Sequence, residues 1–275
     1  SARGDYFIAA GTNDRVWNSL QKHCLADPAN FAHYFSYPAV DLACRAWLGP
    51  GYQMTAQCHR VNPGGKAQNA HRDYHLGFMT PERQEAYPGH VQRLSPMLTL
   101  QGAVAHIDMP LDSGPTCYLP YSQAYFEGYL AFERPEFQDY FATAKSQLPM
   151  RKGDAVFFNP AVMHGSGANV TADMYRLVNL LQVSSAMGRT MEAIDRSAMV
   201  KALYPVLAAG GWDMAQRDRI VAASAEGYAF PTNLDTDPAV GGMSPKTPAD
   251  MMREALAEGK PPADFDATID MLDAR

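Results

Sequence analysis

Three residues of this chain could together hold a metal ion. His71 and Asp73 flank one residue in His71-Arg72-Asp73, and on an extended strand positions i and i+2 point to the same face. An imidazole and a carboxylate therefore project into one space. A second imidazole, His164, follows 93 residues later in Asn159-Pro160-Ala161-Val162-Met163-His164-Gly165-Ser166-Gly167, just after a strand-like apolar run. Two neutral imidazoles and one carboxylate make the facial triad that suits non-heme Fe(II). Such a set leaves the complex net positive and three coordination positions open. A 2-oxoacid can chelate through two of them, and dioxygen can take the third.

A 2-oxoacid with a second carboxylate needs a partner for its far end. Arg176 stands 12 residues after His164, and its guanidinium is a fixed fork matched to a carboxylate. Ser166 lies two positions after His164, so on an extended stretch it shares that face and can bond the same carboxylate. His75 complicates the ligand set, because on one strand it would share a face with both His71 and Asp73. His71 is the favoured ligand. His75 is the alternative, or a neighbour that hydrogen-bonds a ligand or faces substrate. Arg72 is expected to point to the opposite side. A second triplet, His106-Ile107-Asp108, has no distal partner in suitable context and reads as a strand leaving the core. Arg60, after His59, either faces an anionic substrate or is solvated. Tyr121, Tyr125, Phe126 and Tyr129 have helical spacing and read as core packing rather than a substrate cage.

Short strands must position these groups. Residues 97–109, 116–119, 155–158 and 175–183 are apolar runs separated by turns such as Asp112-Ser113-Gly114-Pro115 and Gly153-Asp154. Many short strands at this spacing predict a β-sandwich or jelly roll. Residues 121–145 read as an aromatic-rich helical or looped insertion. Helices are expected on both flanks. The first runs from a Thr12 or Asn13 cap through Val16, Leu20 and Cys24 and ends at Pro28. The second covers 38–48 and stops at Gly49-Pro50-Gly51. After Ser185 the chain turns helical again. Thr247-Pro248 predicts an N-cap with proline at the first helical position, and Gly259 the stop. Met251, Met252, Ala255 and Leu256 give one apolar face, for packing or contact with another copy. The loop over 228–244 reads as a lid or binding loop.

Three segments together resemble the phytanoyl-CoA dioxygenase family of Fe(II)/2-oxoglutarate-dependent oxygenases. They are His71-Arg72-Asp73-Tyr74-His75, Asp112-Ser113-Gly114-Pro115-Thr116-Cys117-Tyr118-Leu119-Pro120, and residues 153–176, where Gly153-Asp154, His164-Gly165-Ser166-Gly167 and Arg176 follow the family's order. The resemblance covers about 52–185. It implies a mainly β fold with flanking helices around a double-stranded β-helix (jelly roll, cupin-like) core. It also implies iron on His71, Asp73 and His164, and 2-oxoglutarate on Ser166 and Arg176. Where the family often has a tryptophan, this chain reads Thr99-Leu100-Gln101-Gly102-Ala103, so Thr99 or Gln101 is expected to take over a contact to 2-oxoglutarate. Pro120-Tyr121-Ser122-Gln123 also departs from the family's usual turn. One oxygenase domain is expected over 1–275, with a core at about 52–185, an insertion near 121–145 and helical flanks. The implied reaction hydroxylates an unactivated C–H bond of a small or medium-sized metabolite, with dioxygen as the other substrate. Desaturation, epoxidation and cyclisation are alternatives within the class, and a non-oxygenase jelly-roll metal protein is the alternative outside it. Asp73 argues against halogenation, which needs the carboxylate's coordination position for a halide. No basic cluster suits the phosphates of coenzyme A.

Composition narrows the field further. Of 275 residues, 29 are acidic and 23 basic, a formal net charge of −6, with 47% hydrophobic and 19% charged residues. Wholesale disorder and general nucleic-acid binding are both excluded on these grounds. No apolar run reaches the roughly 18 residues that a membrane helix needs. Cys24, Cys44, Cys58 and Cys117 form no C-x-x-C pair and read as reduced thiols. The first five residues do not resemble a signal peptide, so a soluble cytoplasmic protein is expected.

Overall fold

Eight strands build two antiparallel-paired sheets in a computed structural model that describes residues 11–229 and 244–274. The strands are β1 (Asn13–Val16), β2 (Gln53–Val61), β3 (Thr99–Ala105), β4 (Thr116–Tyr118), β5 (Ser146–Gln147), β6 (Ala155–Phe158), β7 (His164–Ser166) and β8 (Arg176–Ser184). The larger sheet has the order β1-β2-β8-β3-β6 and the smaller β5-β4-β7. Neighbours in these orders are far apart in sequence, as the expected jelly roll requires. Ring contacts join the sheets: Phe158 of β6 lies 4.9 Å from Tyr118 of β4 and 4.8 Å from His164 of β7. Alternation on β8 puts Arg176, Val178, Leu180 and Gln182 on one face. Val178 and Leu180 pack with Ala103, Ala105 and Met109, which places β8 against β3.

The described residues divide into two compact units, 11–17 with 56–182 and 18–55 with 183–229 and 244–274. The first holds most of the strands and every residue of the expected site. The second is mainly helical. Its helices Ser19–Ala26, Pro28–Ser36, Arg196–Ala208, Met214–Ser224 and Pro262–Asp273 bury Leu20, Phe31, Met199, Leu203, Ile220 and Phe265. Tyr204 stacks on Phe265 with ring centroids 4.1 Å apart, and its hydroxyl donates to the Ala255 and Lys260 carbonyls. A buried tyrosine must satisfy its hydroxyl in this way.

The helix over Pro38–Leu48 and its Gly49 stop match the sequence reading. So does Pro248–Glu258, with a Thr247 capping box, proline at its start and Gly259 in the left-handed region. The first helix is corrected. Asn13–Val16 is not its start but strand β1, paired with residues 61–58 of β2. Cross-strand pairing outweighs the local helical pattern there, and Val16 is half exposed. The helix itself covers Ser19–Ala26 and stops just before Pro28, as expected. Pro28 also begins the next helix, with the Asp27 carboxylate capping the Asn30 N–H at 2.9 Å. The aromatic group of the insertion is corrected too: Tyr129 is buried, but Tyr121, Tyr125 and Phe126 are exposed. The chain there forms short turns and a four-residue helix, Gly128–Ala131, too short to present one continuous buried face. Most of the expected 228–244 loop lies outside the described residues. No described helix is long and apolar enough to cross a membrane. The four cysteines are free, and all but Cys58 are buried.

Candidate metal centre

Backbone pairing alone brings His71 and His164 together. The His71 N–H donates to the His164 carbonyl at 2.8 Å, and the His164 N–H donates to the His71 carbonyl at 2.9 Å. Residues that exchange both bonds across an antiparallel bridge stand directly opposite, with side chains on one face. The two ring centroids are accordingly 4.6 Å apart. Gly165 suits this close approach, since a Cβ there would sit 3.2 Å from the backbone oxygens of Gln68 and Asn69. The Asp73 N–H donates to the Pro160 carbonyl at 3.1 Å, which continues the pairing past Arg72. Asp73 then returns to the side of His71: its Oδ1 is 3.6 Å from His71 Nε2, and its Oδ2 is 3.5 Å from His164 Nε2. Ligand atoms of all three lie within 4.8 Å of one another, the one such group among the described residues.

Both imidazoles are fixed by the same local device. His71 Nδ1 meets the Asn69 carbonyl at 2.9 Å and His164 Nδ1 meets the Val162 carbonyl at 2.8 Å, in each case two residues back. A carbonyl only accepts, so Nδ1 carries the hydrogen and Nε2 of the neutral ring keeps a lone pair for a metal. Burial lowers the His71 pKa, with Asp73 pulling the other way and His164 adding repulsion. Burial works against the charge on Asp73. The adjacent His164, then His71 and the Gln101 amide, outweigh it and hold the carboxyl well below the usual carboxylate range.

Gln101, expected at the 2-oxoacid, is placed beside the Asp73 carboxylate. Its Nε2 donates to Asp73 Oδ2 at 2.5 Å and to Gln182 Oε1 at 3.1 Å. Thr99 is buried on the same strand, and its hydroxyl donates to the Ser95 carbonyl at 3.1 Å. Arg176 and Ser166 do come together: Arg176 Nη2 donates to Ser166 Oγ at 2.6 Å, and Nη1 reaches the Ser113 carbonyl at 3.4 Å. Arg176 is 4% exposed, its Nε has no hydrogen-bond partner, and no described carboxylate pairs with it. Burial pushes its pKa down to about 10. A buried guanidinium with a spare donor and no described counter-charge is costly to hold.

The remaining expectations sort by geometry. His71 makes only an isolated bridge to His164 rather than lying on a strand, and with φ 64° at Tyr74 and 35° at His75 the chain turns away before His75. The His75 Nδ1 meets Ser95 Oγ at 2.8 Å, outside the group that His71 forms with Asp73 and His164. Asp108 accepts from the Lys152 N–H at 2.8 Å. Arg60 pairs with Asp14 at the surface. Arg72 points away from the triad, to the carbonyls of Ser122 and Tyr125. Sequence reasoning missed the contribution of β1 to the interior. Asn13 Oδ1 contacts His59 Nε2 at 2.5 Å, and Arg15 donates to Gln57 Oε1 at 2.9 Å. No local signal marks this stretch, whose residues 12–15 are all polar.

The family model for phytanoyl-CoA dioxygenase (PhyH) matches residues 3–178. The chain is similar to Dioxygenase FrzG from Cladobotryum sp, 30% identical over 131 residues, which is 46% of this chain and 39% of that protein. It thus spans less than half the length of that curated relative. Among solved structures it is similar to the non-heme alpha ketoglutarate dependent epimerase SnoN from nogalamycin biosynthesis (18% identity, TM-score 0.43, 64% of this chain and 62% of that one). It is also similar to HygX from Streptomyces hygroscopicus with nickel, 2-oxoglutarate and hygromycin B bound (14% identity, TM-score 0.45, 67% and 74%).

Proposed function

The chain belongs to the phytanoyl-CoA dioxygenase family, and from that premise we propose that it is an Fe(II)- and 2-oxoglutarate-dependent dioxygenase that hydroxylates a small or medium-sized metabolite. One observation carries the reading beyond metal binding. Arg176 is buried without a carboxylate partner among the described residues, held by Ser166 two positions from the ligand His164. A site that used its metal only as a Lewis acid would have no need of this clamp.

The residues divide the work. Nε2 of His71, Nε2 of His164 and the Asp73 carboxylate hold the metal from one side. Arg176 and Ser166 bind the far carboxylate of 2-oxoglutarate and so fix the orientation of its reacting end. Gln101 keeps Asp73 turned toward the two imidazoles. Bound Fe(II) and 2-oxoglutarate supply the oxidative chemistry, in which 2-oxoglutarate goes to succinate and CO2. Asp73 retains the carboxylate position, which favours hydroxylation over halogenation.

The test needs no substrate. Fe(II) and 2-oxoglutarate are added to the apoprotein without oxygen, and a visible charge-transfer band of the chelated 2-oxoacid is expected. Admitting oxygen should then yield succinate in an Fe(II)-dependent manner. Tight metal binding with neither band nor succinate would replace this reading with a non-oxygenase metal-binding jelly roll.

A further inference from the structure

Arg72 sits between two metal ligands in sequence but serves the other side of the segment. It is 3% exposed, and its guanidinium lies 5.3 Å from the Tyr129 ring centre. Its Nη2 donates to the carbonyls of Ser122 and Tyr125. Gly128 packs against the guanidinium so closely that a Cβ would collide with it. The Arg72 Nε has no hydrogen-bond partner, and no described carboxylate pairs with the group. A buried cation without a counter-charge is costly, and the orphaned donor adds to that cost.

Beside Arg72 lies a cavity of about 230 Å³ walled by Tyr121, Tyr125, Phe132, Phe137 and Tyr140. None of His71, Asp73, His164 or Arg176 lines it. Tyr125 and Phe137 present rings 5.6 Å apart and tilted by 30°, while Tyr121 and Tyr140 are exposed at 84% and 62%. Exposed aromatic rings around a concave apolar wall mark a ligand surface. The volume falls just below the roughly 300 Å³ at which drug-sized pockets begin, so it suits one or two fused rings.

We propose that this cavity is a second small-molecule site, which binds an aromatic carboxylate with its ring against Tyr125 and Phe137 and its carboxylate on Arg72. The aromatic walls select the ring, and the uncompensated guanidinium selects the charge. The site touches the reverse side of the metal-bearing chain. Tyr129 OH donates to the Asp73 carbonyl at 3.1 Å, and the Met163 N–H, one residue before His164, donates to Ser122 Oγ at 2.7 Å.

The probe is 1-naphthoate, titrated calorimetrically into the full chain with and without Mn(II) and saturating 2-oxoglutarate. Saturable binding below about 1 mM is expected, unchanged by 2-oxoglutarate and retained in Arg176→Met. Phe137→Ala should weaken it about tenfold. Arg72→Gln should abolish it. Because Arg72→Gln removes buried hydrogen bonds and could unfold the chain, the uncharged 1-naphthalenemethanol asks the same question of the wild-type protein, and it should bind at least about tenfold more weakly. No saturable binding would overturn the proposal. So would displacement by 2-oxoglutarate, indifference to Phe137→Ala, or equal binding of the acid and the alcohol.

Discussion

His71-Arg72-Asp73 and His106-Ile107-Asp108 share one spacing, and both lie in the strand-rich part of the chain, yet only the first joins a group that could hold a metal ion. The difference is in what meets each carboxylate. Asp73 faces two imidazoles and takes a side-chain hydrogen bond from Gln101. Asp108 receives the backbone N–H of Lys152 and closes the turn before β6. His71 is bridged to His164 by the backbone, whereas the His106 N–H is engaged by the Leu177 carbonyl of β8, which brings no third ligand. Identical spacing therefore gives a candidate metal site only where the topology delivers a convergent partner from a distant strand.

Substitutions can break this contrast in order of effect. His164→Ala removes the convergent ligand and should lower 2-oxoglutarate turnover at least about a thousandfold, beyond the roughly 10–100-fold that residues around a ligand shell control. The succinate assay reads this directly, and residual activity near wild type would refute the assignment. Arg176→Met leaves the triad intact. It should raise the 2-oxoglutarate concentration needed for the visible band about 100-fold, in line with truncating one partner of a buried charge pair, while Mn(II) affinity holds. Gln101→Leu sharpens the contrast at Asp73. It should weaken metal affinity about 10–100-fold with little change in 2-oxoglutarate affinity once metal is saturating. The reverse pattern, metal affinity kept and 2-oxoglutarate affinity lost, would return Gln101 to the co-substrate.

A smaller effect separates structural from ligand histidines. His59 is buried against Asn13, and burial, then Arg15 and Arg176, push its pKa down to about 2. The unfolded chain, with its histidine pKa near 6.5, binds a proton there that the folded chain refuses. Stability from this residue is thus complete above about pH 6.5 and is lost as pH falls from there toward 2. The slope is about 1.4 kcal/mol per pH unit. His59→Gln should flatten the dependence of the urea midpoint on pH between 6.5 and 5, and an unchanged slope would refute the neutral assignment. Smallest of all, Asp108→Ala should cost only about 1 kcal/mol of stability, the usual value of a lost hydrogen bond, and leave metal affinity untouched.

The clustering of His71 with Asp73, the nearness of Arg176 to Ser166 and most strands were legible in the sequence, because each rests on local spacing: two residues along an extended stretch, or apolar runs cut by turns. What stayed hidden depends on pairing across long separations. Nothing around Asn13 announces a strand until β2 offers it a partner. Gln101 looked toward the co-substrate because alternation names a face but not the side chain opposite, here 28 residues back at Asp73. His75 was misplaced by assuming that the strand continues, when positive φ at Tyr74 turns the chain away. The insertion's aromatics carry helical spacing over a stretch that forms too little helix to use it.

The carbonyls that orient the two imidazoles have an evolutionary consequence. Asn69 and Val162 do this with main-chain atoms, which every residue type possesses. Many metal sites assign that task to a carboxylate side chain, where a single substitution can release the ring. Here the tautomers survive replacement of the neighbouring side chains as long as the backbone path is kept. The pocket around the metal is then free to diverge toward new substrates without first risking the ligands, a separation that gives a scaffold room to change its chemistry's target while keeping its chemistry.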